Sequence, residues 1–323
     1  MGGSSYDRDV YSESSSSSWG RAYSPSKFGI SKESEYEMGQ NQIMNESLSP
    51  IGKKIVSHTK TPIIVVLDVT GSNIDFAKVV YDKMPMFYGQ IEQQGYLDDF
   101  DICFCAVGDC LYDRYPIQIG NFAKGIEIDK WLKLVVLEGC GGLFGQESYE
   151  AMAYYLLKNF EFDEGANPIV FFIGDEDCYP KIEKRDCEAL GIPYEYIGKE
   201  NIFKELREKL NDNVFMLLNK ACGHTWVQDI IDSWNRLLPN QHTILIHEEK
   251  SIVDLMLGII ALCNGTRTLK GYINDLENRN QTEVRRENVE KSLNDLSKEY
   301  IPTIVVGEIP KSEKTQKSTG KRL

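Results

Sequence analysis

Short, fully apolar runs alternate along the chain with amphipathic stretches. Pro62-Ile-Ile-Val-Val-Leu67 and Pro168-Ile-Val-Phe-Phe-Ile173 are apolar at every position, which predicts central strands covered on both faces; a strand with one wet face would be apolar at every second residue. Asp101–Val107 and Val214–Leu218 predict two more strands, Thr243–Ile246 a last one and Ile117–Ile119 a short edge strand. Helix-spaced apolar residues predict helices over Asn73–Gln93, Asp129–Val136, Ser148–Phe160, Asn201–Leu210, Trp226–Leu238 and Ser251–Cys263, the last closed by Asn264-Gly265. Strand and helix in turn are the mark of βαβ units. The expected fold class is therefore α/β: a doubly wound, mostly parallel, Rossmann-like sheet of about six strands with helices on both faces.

The ends of the chain read differently. Residues 1–50 hold 14 serines and too few spaced apolar residues to offset the entropy of ordering. Residues 1 to about 25 are expected to be disordered, with Tyr6, Tyr11, Trp19, Tyr23 and Phe28 as aromatic points that could dock. Asp275–Lys298 reads as one polar helix with Leu276, Val284, Val289, Leu293 and Leu296 on a loose stripe, packed along the domain or offered to a partner. Lys311, Lys314, Lys317, Lys321 and Arg322 lie in a tail without apolar periodicity. The expected division is a Ser-rich segment over 1–50, a domain over 55–268, a polar helix over 269–300 and a basic tail over 301–323.

Composition narrows the partners. A formal charge of -13 over 323 residues opposes non-specific binding to nucleic acid. No 18-residue apolar run predicts a membrane-spanning helix, and Met1–Ser18 lacks the apolar core of a signal peptide, so a cytoplasmic location is expected. Eight cysteines are scattered along the chain, and Cys103 and Cys105 fall inside a predicted strand. They read as buried small hydrophobes in a reducing compartment.

The most informative segment is Asp68-Val-Thr-Gly-Ser72, directly after the first central strand and before a helix. It sets one carboxylate and two hydroxyls on a single turn, an all-oxygen set suited to a hard cation such as Mg²⁺. Asp175 follows the second fully apolar strand in the same way. If the two strands are neighbours, Asp68 and Asp175 converge at the strand ends where doubly wound sheets bind ligands. The residue-level alternative is that Asp68 caps the following helix while Thr70 and Ser72 satisfy orphan N–H groups.

On these residues the chain resembles a von Willebrand factor A domain over about residues 60–265, a Rossmann-like fold that bears a metal-ion-dependent adhesion site. The family's Asp-x-Ser-x-Ser motif is matched by Asp68, Thr70 and Ser72, with Thr in place of the first Ser, and its later strand-end Asp by Asp175. A Thr or Asp that the family places in a glycine-rich loop has no match in Gly139-Cys-Gly-Gly-Leu-Phe-Gly-Gln-Glu147-Ser148. There Glu147 or Ser148 would fill the role, directly or through water. The resemblance implies Mg²⁺ or Mn²⁺ as the cofactor and a carboxylate of a partner protein as the group that completes the metal's shell.

Other residues carry weaker signals. Asp109 ends the second strand and reads as a turn residue that could tune the site. Cys178, Cys187, Cys222 and His224 lack zinc-ligand spacing. Lys181, Lys184 and Arg185 follow Asp175 and could select an acidic partner. A phosphatase-like reading would make Asp68 a nucleophile, but position 70 is Thr where a proton-donating acid is needed, and no phosphate-neutralising Lys is evident. The glycine cluster has no Gly-Lys-Ser/Thr after it. The reading that remains in front is a non-enzymatic protein-protein interaction module. A metal-independent scaffold that recruits through its tails or C-terminal helix is the alternative.

Overall fold

The computed structural model describes residues 43–137, 145–219, 227–239 and 241–300. The expectations for the first 42 residues, the glycines at 139, 141 and 142, Cys222, His224 and the tail from 301 lie outside the described residues. The main sheet is built from β2 (Thr61–Asp68), β3 (Phe100–Val107), β4 (Ile117–Ile119), β7 (Ile169–Gly174), β9 (Val214–Asn219) and β10 (Thr243–Ile246), with β1 (Ile55–Ser57), β5 (Gln146–Glu147), β6 (Phe160–Phe162) and β8 (Asp177–Cys178) outside it. Its order is β10-β9-β7-β2-β3-β4. Every neighbouring pair is parallel except β3 and β4. The fold is thus the mixed α/β, Rossmann-like arrangement that the apolar runs predict. β1 pairs with β6, and β5 with β8, in two small parallel ribbons that were too short to register in the pattern.

Alternation within the fully buried strands divides the core in two. Ile63, Val65 and Leu67 of β2 face one layer, which contains α1 (Ile74–Gln94) and α7 (Ile252–Cys263). Ile64 and Val66 face the other, which contains α3 (Tyr149–Asn159), α4 (Lys184–Leu190), α5 (Lys199–Lys209) and α6 (Val227–Leu237). A short helix, α2 (Glu127–Leu132), occupies part of the stretch predicted as Asp129–Val136. Cys103 and Cys105 are buried in β3, and Cys178 and Cys187 are buried in the same layer. Among the described residues no helix is long and apolar enough to cross a membrane.

The C-terminal region differs from the single helix that its stripe predicts. It folds as α8 (Leu269–Asn278) and α9 (Glu283–Leu293). Asn280 between them takes a left-handed conformation at φ 58°, and the Thr282 hydroxyl accepts the Arg285 N–H to cap α9. Breaking the helix turns Tyr272, Leu276, Val289, Leu293 and Leu296 onto the α1–α7 layer, where all five are buried. Val284, assigned to the same stripe, is 64% exposed. At the other end, residues 43–50 belong to the Ser-rich segment by composition, yet Leu48 is buried and Tyr155 donates to the Pro50 carbonyl at 2.8 Å.

β2 lies at the centre, with β3 on one side and β7 on the other. The chain leaves β2 toward β3 and β4, returns to β7, and proceeds outward through β9 and β10. The order therefore reverses between β2 and β7, and the crevice of a doubly wound sheet opens beyond the C-terminal ends of such a pair.

Candidate functional site

Asp68 is the last residue of β2, and Asp175 follows β7 directly. Leu67 is in register with Ile173, so the two carboxylates leave the sheet side by side. The chain turns at Val69-Thr-Gly-Ser72 and enters α1. Asp68 Oδ1 accepts the Thr70 N–H at 2.8 Å and the Thr70 hydroxyl at 2.6 Å. This is an Asx turn, in which the carboxylate satisfies backbone that would otherwise lack a partner. The helix-capping alternative is met by the turn and not by α1, whose N-cap residue Asn73 makes no side-chain cap.

Ser72 donates its hydroxyl proton to Asp175 Oδ1 at 3.3 Å. The structure thus brings together Asp68, Thr70, Ser72 and Asp175, the four residues named from the strand ends. Both hydroxyl protons point at carboxylates, so Thr70 and Ser72 present their oxygens as acceptors, as a hard cation requires. Asp68 is 0% exposed. Burial, and after it the charge of Asp175, push its carboxyl well above the usual range, against the lowering effect of its hydrogen bonds to Thr70 and Tyr149.

Three further residues shape the site and carried no signal in the motif. Tyr149, at the start of α3, donates its hydroxyl to Asp68 Oδ2 at 2.7 Å. Burial, followed by the charges of Asp68 and Asp175, raises the Tyr149 phenol well above its ordinary value, which keeps it a proton donor. Asn73 donates to the Asp68 carbonyl at 3.1 Å, and Asn219 at the end of β9 donates to Asn73 Oδ1 at 3.4 Å. Asn219 shares the strand-end position of Asp68 and Asp175 and is the one of the three that position alone could have flagged.

Glu147 and Ser148 fare differently from each other. Glu147 is buried in β5, and its charge acts on the Tyr149 hydroxyl after those of Asp68 and Asp175. Ser148 is tied to the β3–β4 loop: its Oγ accepts the Cys110 N–H at 2.9 Å and its N–H donates to the Gly108 carbonyl at 3.1 Å. That engagement joins two loops and leaves one lone pair of the Ser148 oxygen. Asp109 is buried and accepts the Leu111 N–H at 2.8 Å and the Tyr179 hydroxyl at 2.9 Å, as a turn residue does.

The basic run is paired with acids of its own segment. Lys181 pairs with Glu183 at 3.1 Å, Lys184 with Glu188 at 3.6 Å and Arg185 with Asp186 at 3.5 Å. Each cation of the run faces an acid. Among the described residues no three His, Cys, Asp and Glu side chains are grouped to hold a metal ion. The strand-end cluster has two carboxylates, and its fit to a cation rests on the hydroxyl oxygens of Thr70 and Ser72.

No model of a known protein family matches the sequence, and no curated protein matches it. Among solved structures it is similar to the pilus adhesin SpaC from Lactobacillus rhamnosus GG, with a TM-score of 0.44 and 13% identity over 66% of this chain and 32% of the adhesin. The open conformation of SpaC gives 0.44 and 12% over 66% and 31%. Proximal thread matrix protein 1 from the mussel byssus gives 0.39 and 13% over 65% of this chain and 49% of that protein. The chain spans less than half the length of each.

Proposed function

We propose that the protein is a non-enzymatic interaction module that binds a partner protein through a divalent cation held at the C-terminal edge of its sheet. The observation that carries this reading is the Ser72–Asp175 contact of 3.3 Å, which joins the Asp68 turn to the next strand in one all-oxygen cluster. The resemblance of Asp68, Thr70, Ser72 and Asp175 to the adhesion site of von Willebrand factor A domains supports it. Thr70 and Ser72 would hold Mg²⁺ or Mn²⁺ through their hydroxyl oxygens, with Asp68 and Asp175 acting directly or through water and Glu147 adding charge. When bound, the cation supplies a positive centre for a carboxylate of the partner.

The chain's own residues prepare the site. Thr70 and Tyr149 together hold both Asp68 oxygens, and Asn73 and Asn219 brace the backbone of the turn. The same geometry weighs against Asp68 as a nucleophile, because it is fully buried and each of its oxygens already accepts a hydrogen bond.

The test is Mn²⁺ binding to the full chain, followed by paramagnetic resonance. Wild type should bind, and Thr70→Val, which keeps volume and removes an oxygen, should bind more weakly without a change in fold. Absence of Mn²⁺ binding to wild type at millimolar metal sinks the proposal. Partner capture that survives both chelator and Asp68→Ala points instead to the metal-independent scaffold.

A further inference from the structure

At the opposite edge of the sheet, the ring of His242 is 1% exposed and stacks on Phe215 with centroids 4.3 Å apart. Tyr300 also stacks on it, with centroids 6.4 Å apart. Nδ1 is 3.1 Å from the Val214 carbonyl, which can only accept, so Nδ1 carries a hydrogen. Nε2 is 3.3 Å from Glu299 Oε2. A neutral ring with hydrogen on Nδ1 has a lone pair at Nε2, and an ionised carboxylate has no proton to give. Two acceptors at that distance repel unless one proton lies between them.

We propose that His242 and Glu299 share one proton, and that this proton fastens Glu299 and Tyr300 against the start of β10, so that the clasp opens when the pH rises through its release. The other titratable or charged groups facing the clasp are Arg207 in the last turn of α5, Asp212 in the turn that follows it, Cys263 at the end of α7, and Tyr300 itself. Arg207 and Asp212 pair with each other at 2.9 Å and largely offset one another. Burial lowers His242 and raises Glu299. Both directions shift the shared proton toward the carboxyl, relative to an exposed pair.

The linkage follows from proton counting. An unfolded chain releases the His proton near pH 6.5 and the Glu proton near pH 4.3. Between those values folded and unfolded chains each hold about one proton on this pair. Repulsion between the two bare acceptors 3.3 Å apart keeps a proton on the folded pair after the unfolded chain has lost its own above about pH 6.5, so stability falls with rising pH there, by up to about ten-fold in the folding constant per unit.

The experiment compares full-length wild type with Glu299→Gln by urea unfolding from pH 5 to pH 9. The Gln amide donates to Nε2 without titrating. Wild type should lose stability relative to Glu299→Gln as pH rises across the whole range, by up to about ten-fold per pH unit: below about pH 6.5 because only the variant's unfolded chain binds a proton that its folded state lacks, and above it because the folded wild-type pair keeps a proton that its unfolded chain has lost. Parallel profiles throughout overturn the proposal. A second measurement needs no variant: ¹⁵N resonances of the wild-type His242 ring should show hydrogen on Nδ1 at neutral pH, and an Nδ1 without hydrogen overturns the shared proton directly.

Discussion

A β-carbon at Gly174 would lie 1.8 Å from the Tyr149 hydroxyl oxygen and 2.9 Å from Asp68 Oδ2. Tyr149 reaches Asp68 because position 174, at the end of β7, has no side chain. The site thus depends on a residue that carries no chemistry of its own. Gly174→Ala is expected to cost about 1–3 kcal/mol, the range for forcing an extra methyl into a packed interior. Tyr149→Phe removes the closest atom, so the double variant should be less destabilised than the sum of the singles by about 1 kcal/mol. A double-mutant cycle in urea checks this; strict additivity would mean that the two residues do not share the space.

Asp68 gives the metal-free protein a pH dependence of defined sign. Its folded-state pKa is raised by burial and by Asp175, so the protonated form is the better folded one. The contribution is fully present below the unfolded value, near pH 3.9, and is lost as pH rises through the raised folded value. Asp68→Asn removes the titration. In chelator, the variant should therefore gain stability relative to wild type as pH rises from about 4 toward neutrality. The gain should be on the order of 1–3 kcal/mol, the cost of a poorly compensated buried polar group. Unfolding curves measured across that range decide it, and a constant difference would show that Asp68 ionises without penalty.

Much of this architecture was legible in the sequence because the informative strands are buried on both faces. Continuous apolar runs place β2, β7 and β9 to within a residue or two, and their neighbour relations then bring Asp68 and Asp175 together. Tyr149 was not legible. Its hydroxyl meets Asp68 through tertiary approach across Gly174, and no local pattern encodes that. The break between α8 and α9 did leave a trace in Asn278-Arg-Asn-Gln-Thr282, where Asn suits a left-handed exit and Thr an N-cap. The loose apolar stripe on either side outweighed it.

Metal should raise stability by an amount set by occupancy. At a hundred-fold excess over Kd the gain is about 2.7 kcal/mol. Asp175→Ala should abolish the shift, since it removes one of the two carboxylates and the acceptor of the Ser72 hydroxyl. The same variant should be no less stable than wild type in chelator, because it relieves the repulsion on Asp68. Thermal melts of both proteins with millimolar Mg²⁺ and with chelator test the pair of statements. A metal shift that persists in Asp175→Ala would place the ion elsewhere.

The C-terminal helices are expected to be indispensable to the fold. A β-carbon on Gly258 of α7 would come within 2.4 Å of Leu293 Cδ1 and 2.7 Å of Tyr272 Cε1, so α8 and α9 dock closely against α7. Tyr272 donates its hydroxyl to the Asp254 carbonyl, and Arg279 pairs with the Asp254 carboxylate at 3.2 Å with both side chains buried. Each large apolar side chain buried here contributes about 1.5–3 kcal/mol. The five that α8, α9 and the following turn supply therefore match much of the roughly 5–15 kcal/mol that stabilises a typical domain. A chain ending at Gly265 should lack a cooperative unfolding transition at 25 °C, as seen by circular dichroism. Charge reversal at the exposed Glu283 should change stability by no more than about 0.5 kcal/mol. If the shortened chain instead melts cooperatively at the wild-type temperature, α8 and α9 are an appended module, and their exposed face regains its claim as a recognition surface.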